Sequence, residues 1–199
     1  MVTPVQFDPE ELSVSLERLA PGRRKMFAAS ICETLLPLYS HFVARHGWGD
    51  YAALRHILDV IWLCAVSPDD LCCDVDKLQE RCERVIPDTE DFPDLWGSRA
   101  LDVGSAIFEA LELVRTSETT HAVNVARTAY DTALMHEDTE QRAVESDSSH
   151  AGSEVYSSLL VLEVCHQISD LLEQCSRPGP EQELAQALRV RYSRGPLNG

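Results

Sequence analysis

Two Glu-x-x-His pairs are the first residues in this chain whose types and spacing suit chemistry: Glu118-Thr-Thr-His121 and Glu163-Val-Cys-His166. A carboxylate-bridged pair of metal ions in a four-helix bundle uses two such pairs, with one further Glu from each of two other helices. The i, i+3 spacing puts both ligands on one helical face. The face is the wrong one for the second pair. The apolar stripe of its helix centres on Val164 and Ile168, and at about 100° per residue Glu163 and His166 fall on the far side. Glu118 sits in a first helical turn, where the helix dipole favours an acid without any metal. No metal site is expected.

Seven cysteines follow: Cys32, Cys64, Cys72, Cys73, Cys82, Cys165 and Cys175. An odd count without a Cys-x-x-Cys pair argues against a disulfide framework and against structural zinc. Cys165 and Cys175 lie on an apolar stripe, as small core residues do. The adjacent Cys72 and Cys73 fall on a turn. Asp74-Val-Asp76 and the acids from Asp88 to Asp94 raise calcium, but neither run has the Gly at position six and the Glu at position twelve of an EF-hand loop. Phosphate loops, dinucleotide fingerprints, nucleophile elbows and zinc-protease motifs are absent, and no cofactor is expected.

The charge map carries more. From Ser67 to Asp94 there are ten acids and three bases, a local charge of about −7. Asp69, Asp70, Asp74, Asp76, Asp88, Glu90, Asp91 and Asp94 form the candidate interaction face. Phe92 and Trp96 flank its last acids. Acids around an exposed aromatic would make an interface hot spot. Rings turned inward would pin the loop to the core, and that is the expectation for large aromatics beside prolines. A second acidic zone runs from Glu137 to Glu154.

Helices must position these groups. Asp8-Pro9-Glu10-Glu11 starts a short helix ending near Ala20. A second runs from Pro21 to about His46, with a kink or break expected at Pro37. His46-Gly47-Trp48-Gly49-Asp50 is a turn, and Asp50 caps a helix over about 51–66 with apolar residues at i, i+3, i+4 and i+7. Ser67-Pro68-Asp69-Asp70 ends it, and a polar helix covers about 75–85. Ile86-Pro87-Asp88-Thr89-Glu90-Asp91-Phe92-Pro93-Asp94 cannot be helical: each proline fixes its own φ and pushes the preceding residue out of the helical region. Helices then cover about 98–115, 118–137, 154–175 and 181–191. Ser117 is the expected N-cap of the second of these, and Gly104 the point where a neighbouring helix comes close. Residues 145–153 are an expected loop, and 192–199 a loose tail. Period-2 alternation is nowhere convincing. The fold class is all-α: one domain over residues 1–199, a bundle of seven to nine helices with no sheet.

The totals agree. A chain of 199 residues with 44% hydrophobic content buries a proper core. With 33 acidic against 17 basic residues the formal net charge is −16. That argues against nucleic acid and against an anionic membrane surface as ligands. It suits a basic protein partner. The N-terminus has no secretory pattern and no stretch approaches a bilayer-spanning apolar run, so the expected compartment is the cytoplasm.

Leu16-Glu-Arg-Leu19, Arg24-x-x-Phe27-Ala28, Cys32-Glu33, Leu36-Pro37-x-Tyr39 and Phe42 resemble the bacterial domain-of-unknown-function family 416, the YjaG-like proteins. Gly47-x-Gly49-Asp50, Leu54-Arg55-x-x-Leu58-Asp59-x-x-Trp62, Ile86-Pro87-Asp88 with Asp91-Phe92, Ala100-x-Asp102 and His121-Ala122-Val123 extend the likeness across about residues 12–188. The C-terminal Pro196-Leu197-Asn198-Gly199 departs from the Ser-Asn-Ile-Gly-like ending of the family. The resemblance implies a compact all-helical cytoplasmic protein and brings no reaction and no catalytic residues with it.

The leading expectation is therefore a non-enzymatic interaction protein that meets a basic partner through its acidic face, as an inhibitor or immunity protein does by charge mimicry. The rival is an enzyme or small-ligand protein with a pocket among Glu33, Asp59, Asp102 and His121. Helical-wheel angles oppose that convergence, with Asp102 opposite its apolar stripe and Asp59 on a flank. A homo-oligomeric structural protein is the third.

Overall fold

Among the described residues, four helices begin on an aspartate whose carboxylate accepts the orphan N–H groups of the first turn. Asp8 takes Glu10 and Glu11, Asp50 takes Ala53, Asp74 takes Lys77 and Asp94 takes Gly97. The computed structural model describes residues 7–67, 74–145 and 153–193, with side chains described over 7–67, 74–135 and 160–193. Eight helices lie within them: α1 Pro9–Glu17, α2 Pro21–His46, α3 Tyr51–Val66, α4 Val75–Glu83, α5 Leu95–Thr116, α6 Thr119–Glu145, α7 Ser153–Ser176 and α8 Glu181–Tyr192. No strand occurs among the described residues.

The second helix is the axis. It packs against α3, α5, α6, α7 and α8, and from Met26 to Leu36 every residue is buried. A helix touched from all sides needs apolar or small residues all round, and this one has them. It is also long and apolar enough to cross a bilayer by composition, contrary to the expectation from sequence, but 78% of that window is covered by the rest of the bundle. Of the two outcomes expected at Pro37, a kink or a break, the break does not occur: α2 continues through it as one helix. Pro37 removes only the N–H that would have bonded the Glu33 carbonyl.

Two arginines in the first turn of α2 secure distant turns. The Arg23 guanidinium donates to the backbone carbonyls of Cys175, Arg177 and Gly179 at the α7–α8 corner. Arg24 donates to Ser117 O at 3.1 Å and Thr119 Oγ1 at 2.8 Å, at the α5–α6 corner. That corner differs from expectation. Ser117 is the left-handed C-cap of α5 (φ 60°), not the N-cap of α6, and Thr116 Oγ1 accepts the Glu118 N–H.

Small residues set the spacing elsewhere. The α6 face Ala122, Val125, Ala126, Ala129 and Ala133 is buried against its neighbours. Gly104 of α5 meets Ile86 of the turn after α4 rather than a helix side chain; a Cβ there would stand 2.4 Å from Ile86 Cγ1. Cys32, Cys64, Cys82, Cys165 and Cys175 are all buried, and burial pushes the thiols of Cys82 and Cys175 up to about 12. Cys72 and Cys73, Asp69 and Asp70, the expected 145–153 loop from residue 146 to 152, and the tail beyond Ser193 lie outside the described residues.

Candidate functional site

The proline-bounded stretch after α4 forms a turn whose shape is set locally. Asp88 Oδ1 accepts the Glu90 N–H at 2.9 Å, and Asp88 O accepts the Phe92 N–H at 3.0 Å. Phe92 then turns inward. Its ring lies edge-on to Phe42 at 5.1 Å, with His46 at 5.2 Å and Trp48 at 5.3 Å. Trp96 packs on His41 and carries the Arg99 guanidinium 4.9 Å over its ring. Both rings fasten the turn to the helices beneath it. Behind them, Tyr39 donates its hydroxyl to Val85 O at 2.6 Å and accepts the Asp50 N–H at 3.3 Å, joining the start of this turn to the α2–α3 corner. Burial lifts the Tyr39 hydroxyl to about 12, so it stays a donor.

The acids divide by what they already hold. Asp94 caps α5 and lies 3.4 Å from Arg45 Nε and 3.2 Å from His46 Nε2. The Gly97 N–H, with His46 and Arg45 beside it, holds the Asp94 pKa below the usual value. Asp74 caps α4 and pairs with Lys77 Nζ at 2.7 Å, which lowers its pKa likewise. Asp76 is exposed on α4. Asp88, Glu90 and Asp91 are exposed, and among the described residues no base pairs with them. The open face is thus narrower than the sequence run: three acids on the tip of a braced turn, with Asp76 on the adjoining helix.

The four residues expected to share a pocket occupy three places. Glu33 and Asp59 do meet. Glu33 is only 4% exposed in the middle of α2, yet its carboxylate is fully engaged. Arg55 of α3 grips it with two N–H groups at 2.7 and 2.8 Å, and Trp62 Nε1 donates at 2.9 Å. The other edge of Arg55 donates to Asp59 Oδ1 at 3.1 Å. Arg189 of α8 completes the group, bonded to Asp59 and 3.4 Å from Glu33. Burial opposes the charge on Arg55, but the Glu33 and Asp59 carboxylates outweigh it and hold its pKa above the ordinary value. Two carboxylates, two guanidiniums and an indole satisfy one another and tie α8 to α2 and α3.

Asp102 lies apart, between α5 and α6, accepting the Thr132 hydroxyl at 2.9 Å. Burial, with the Asp131 charge adding to it, lifts its carboxyl to about 6 despite that bond. His121 is elsewhere again. Its Nδ1 is 2.8 Å from Glu109 Oε2, which also accepts from Asn124 at 3.1 Å. Glu163 and His166 face solvent.

The sequence held a signal for Arg55: it stands four residues before Asp59, an i, i+4 pair on one helix. Arg189 had none, because its partners are more than a hundred residues away.

A family model described as "Protein of unknown function (DUF416)" matches residues 11–194. The uncharacterised protein YjaG of Escherichia coli K12 is 35% identical over 138 residues, 68% of this chain and 69% of that one. An uncharacterised protein of Haemophilus influenzae is 25% identical over 178 residues, 88% of this chain and 89% of its own length. The crystal structure of a DUF416 family protein from Shewanella baltica superposes with a TM-score of 0.75, covering 92% of this chain and 96% of the other at 22% identity, a likeness of fold.

Proposed function

The chain belongs to the DUF416 family, and from that premise we propose that it is a protein-interaction module whose anionic turn docks a basic protein. The observation that carries this reading is the exposure of Asp88, Glu90 and Asp91, unpaired among the described residues, on a turn braced from behind by Phe92. A rigid backbone under unpaired charges spares the ordering cost that a flexible acidic tail incurs on binding. A formal charge of −16 adds long-range attraction for a basic surface. An inhibitor that covers the basic substrate-binding surface of its target is one form such a module takes.

The test is charge reversal. The full chain and its Asp88→Lys, Glu90→Lys, Asp91→Lys triple variant are used as bait in cells of the native host. Basic proteins are expected on the unaltered bait, released by raising salt from about 0.1 M to 0.5 M, where screening shortens the reach of surface charges. They are absent from the variant. A partner set that survives both the salt and the reversal removes this face from consideration.

A further inference from the structure

We propose that α8 is a detachable strap: it lifts off α2 and α3 as a unit about a hinge at Gly179–Pro180, while α2, α3 and α5 stay packed, and uncovers a polar face of the central helix. The i, i+4 row Gly22, Met26, Ser30 and Thr34 of α2 runs beneath it. A Cβ on Gly22 would stand 3.5 Å from Glu181 Oε1, at the first residue of α8. Thr34 Oγ1 donates to Tyr192 O at 3.3 Å, at its last. Glu33 lies beside the row, 3.4 Å from Arg189 Nε. Met26 is the one large apolar side chain in the row, and of α8 itself Ala185, Leu188 and Tyr192 are buried. Much of the remaining hold is polar. Arg189 pairs with Asp59 and Glu33, Arg191 with Asp170 at 3.1 Å, and the Gln174 amide donates to the Tyr192 hydroxyl at 3.3 Å.

The polar groups beneath α8 do not depend on it. Ser30 Oγ donates to Met26 O at 2.8 Å and Thr34 Oγ1 to Ser30 O at 3.2 Å, both within α2. Both Glu33 oxygens keep Arg55, with Trp62 on one of them, and Asp59 keeps Arg55 at 2.9 Å. Separating two surfaces is costly when it strands a polar group, and here each group on α2 and α3 retains a partner. The hinge is equally suited. Gly179 has a φ of 154°, in a region open to glycine, and nothing lies within 4 Å of where its Cβ would be. Pro180, the N-cap, gives the first turn of α8 no side-chain hydrogen bond. On the near side Arg23 holds Cys175 O and Arg177 O, so the motion falls on α8. Because its outer bonds join exposed charges, ionic strength sets the balance between closed and open. The strap shares no residue with the proposed docking turn, and either can fail alone.

Amide hydrogen exchange of the full chain, read by NMR at about 0.1 M and 0.5 M salt, tests it. Residues 183–191 are expected to exchange together and about 100-fold faster than residues 27–36, the mark of an opening smaller than global unfolding. The higher salt should speed α8 about threefold more and leave α2 unchanged. Arg189→Met should speed α8 about three- to fivefold, the scale of an exposed ion pair, without altering exchange in α5. A second measurement reads the uncovered face. Thr34→Cys should be alkylated by iodoacetamide at a rate that follows α8 exchange, whereas Ala106→Cys, buried in α5, should react only as fast as the whole chain unfolds. The proposal is overturned if α8 exchanges at the global rate, or if salt or Arg189→Met speeds every helix equally. It is overturned equally if Thr34→Cys reacts no faster than Ala106→Cys.

Discussion

Phe92 stands edge-on to Phe42, with ring centroids 5.1 Å apart and planes at 83°. One residue of the acidic turn is thereby locked to the last third of the central helix. The geometry is the edge-to-face arrangement that aromatic quadrupoles prefer. It makes the position of Asp88, Glu90 and Asp91 a property of the core.

Phe92→Ala is therefore expected to act on both stability and order. Removing a half-buried ring should cost about 2 kcal/mol in urea unfolding, below the range for fully buried phenylalanines. Amide hydrogen exchange from residue 88 to 94 should accelerate well beyond the global change. Equal acceleration everywhere would mean that the ring is only a core filler.

Gly97→Ala meets backbone. A Cβ there would lie 2.0 Å from Phe92 O, inside the first turn of α5. The expected loss is about 2–3 kcal/mol from overpacking. A helix interior otherwise gains from Gly→Ala, so a stabilised variant in thermal unfolding would contradict this geometry.

Glu33→Gln is expected to destabilise by about 2–3 kcal/mol, because Arg55 loses its buried, doubly bonded partner and keeps only the more exposed Asp59 carboxylate. The double change Glu33→Leu with Arg55→Met should cost less than the single change, since no lone charge remains. Urea midpoints of the three proteins decide it.

Asp102→Asn is expected to stabilise the protein at neutral pH. The carboxyl has a folded pKa of about 6 against 3.8 as its ordinary value. The native state thus holds its proton more tightly than the unfolded chain does. Ionised Asp102 costs stability in full above pH 6, and that cost fades as pH falls from 6 toward 3.8. The variant should gain about 1 kcal/mol near pH 8, after allowance for solvent screening. Near pH 4 the gain should vanish. A gain independent of pH would trace to packing instead.

How far the chain announced its own structure varies by residue. The α3 boundaries, Tyr51 to Val66, were legible because Asp50 caps one end and the apolar spacing is unbroken. Asp94 was grouped with the acidic face; its role as N-cap of α5 was hidden because the helix starts at Leu95, three residues before the start expected near residue 98. Pro37 suggested a kink or a break, and the break is absent because burial around α2 outweighs one missing hydrogen bond. Glu33 entered the sequence reading only as one of four candidate pocket residues. Its use by Arg189 was invisible, since periodicity carries no information about which distant helix lands beside it.

Arg23 has a kinetic meaning as well as a static one. Its three acceptors lie 152 to 156 residues further along the chain. Contacts that close so large a loop form only after nearer helices have assembled. The clasp at the α7–α8 corner belongs to the last stage of folding, and its loss should appear in the rate of opening: Arg23→Ala should unfold faster while refolding at an almost unchanged rate. The start of α2 is thus both where the chain's axis begins and where its closure is completed.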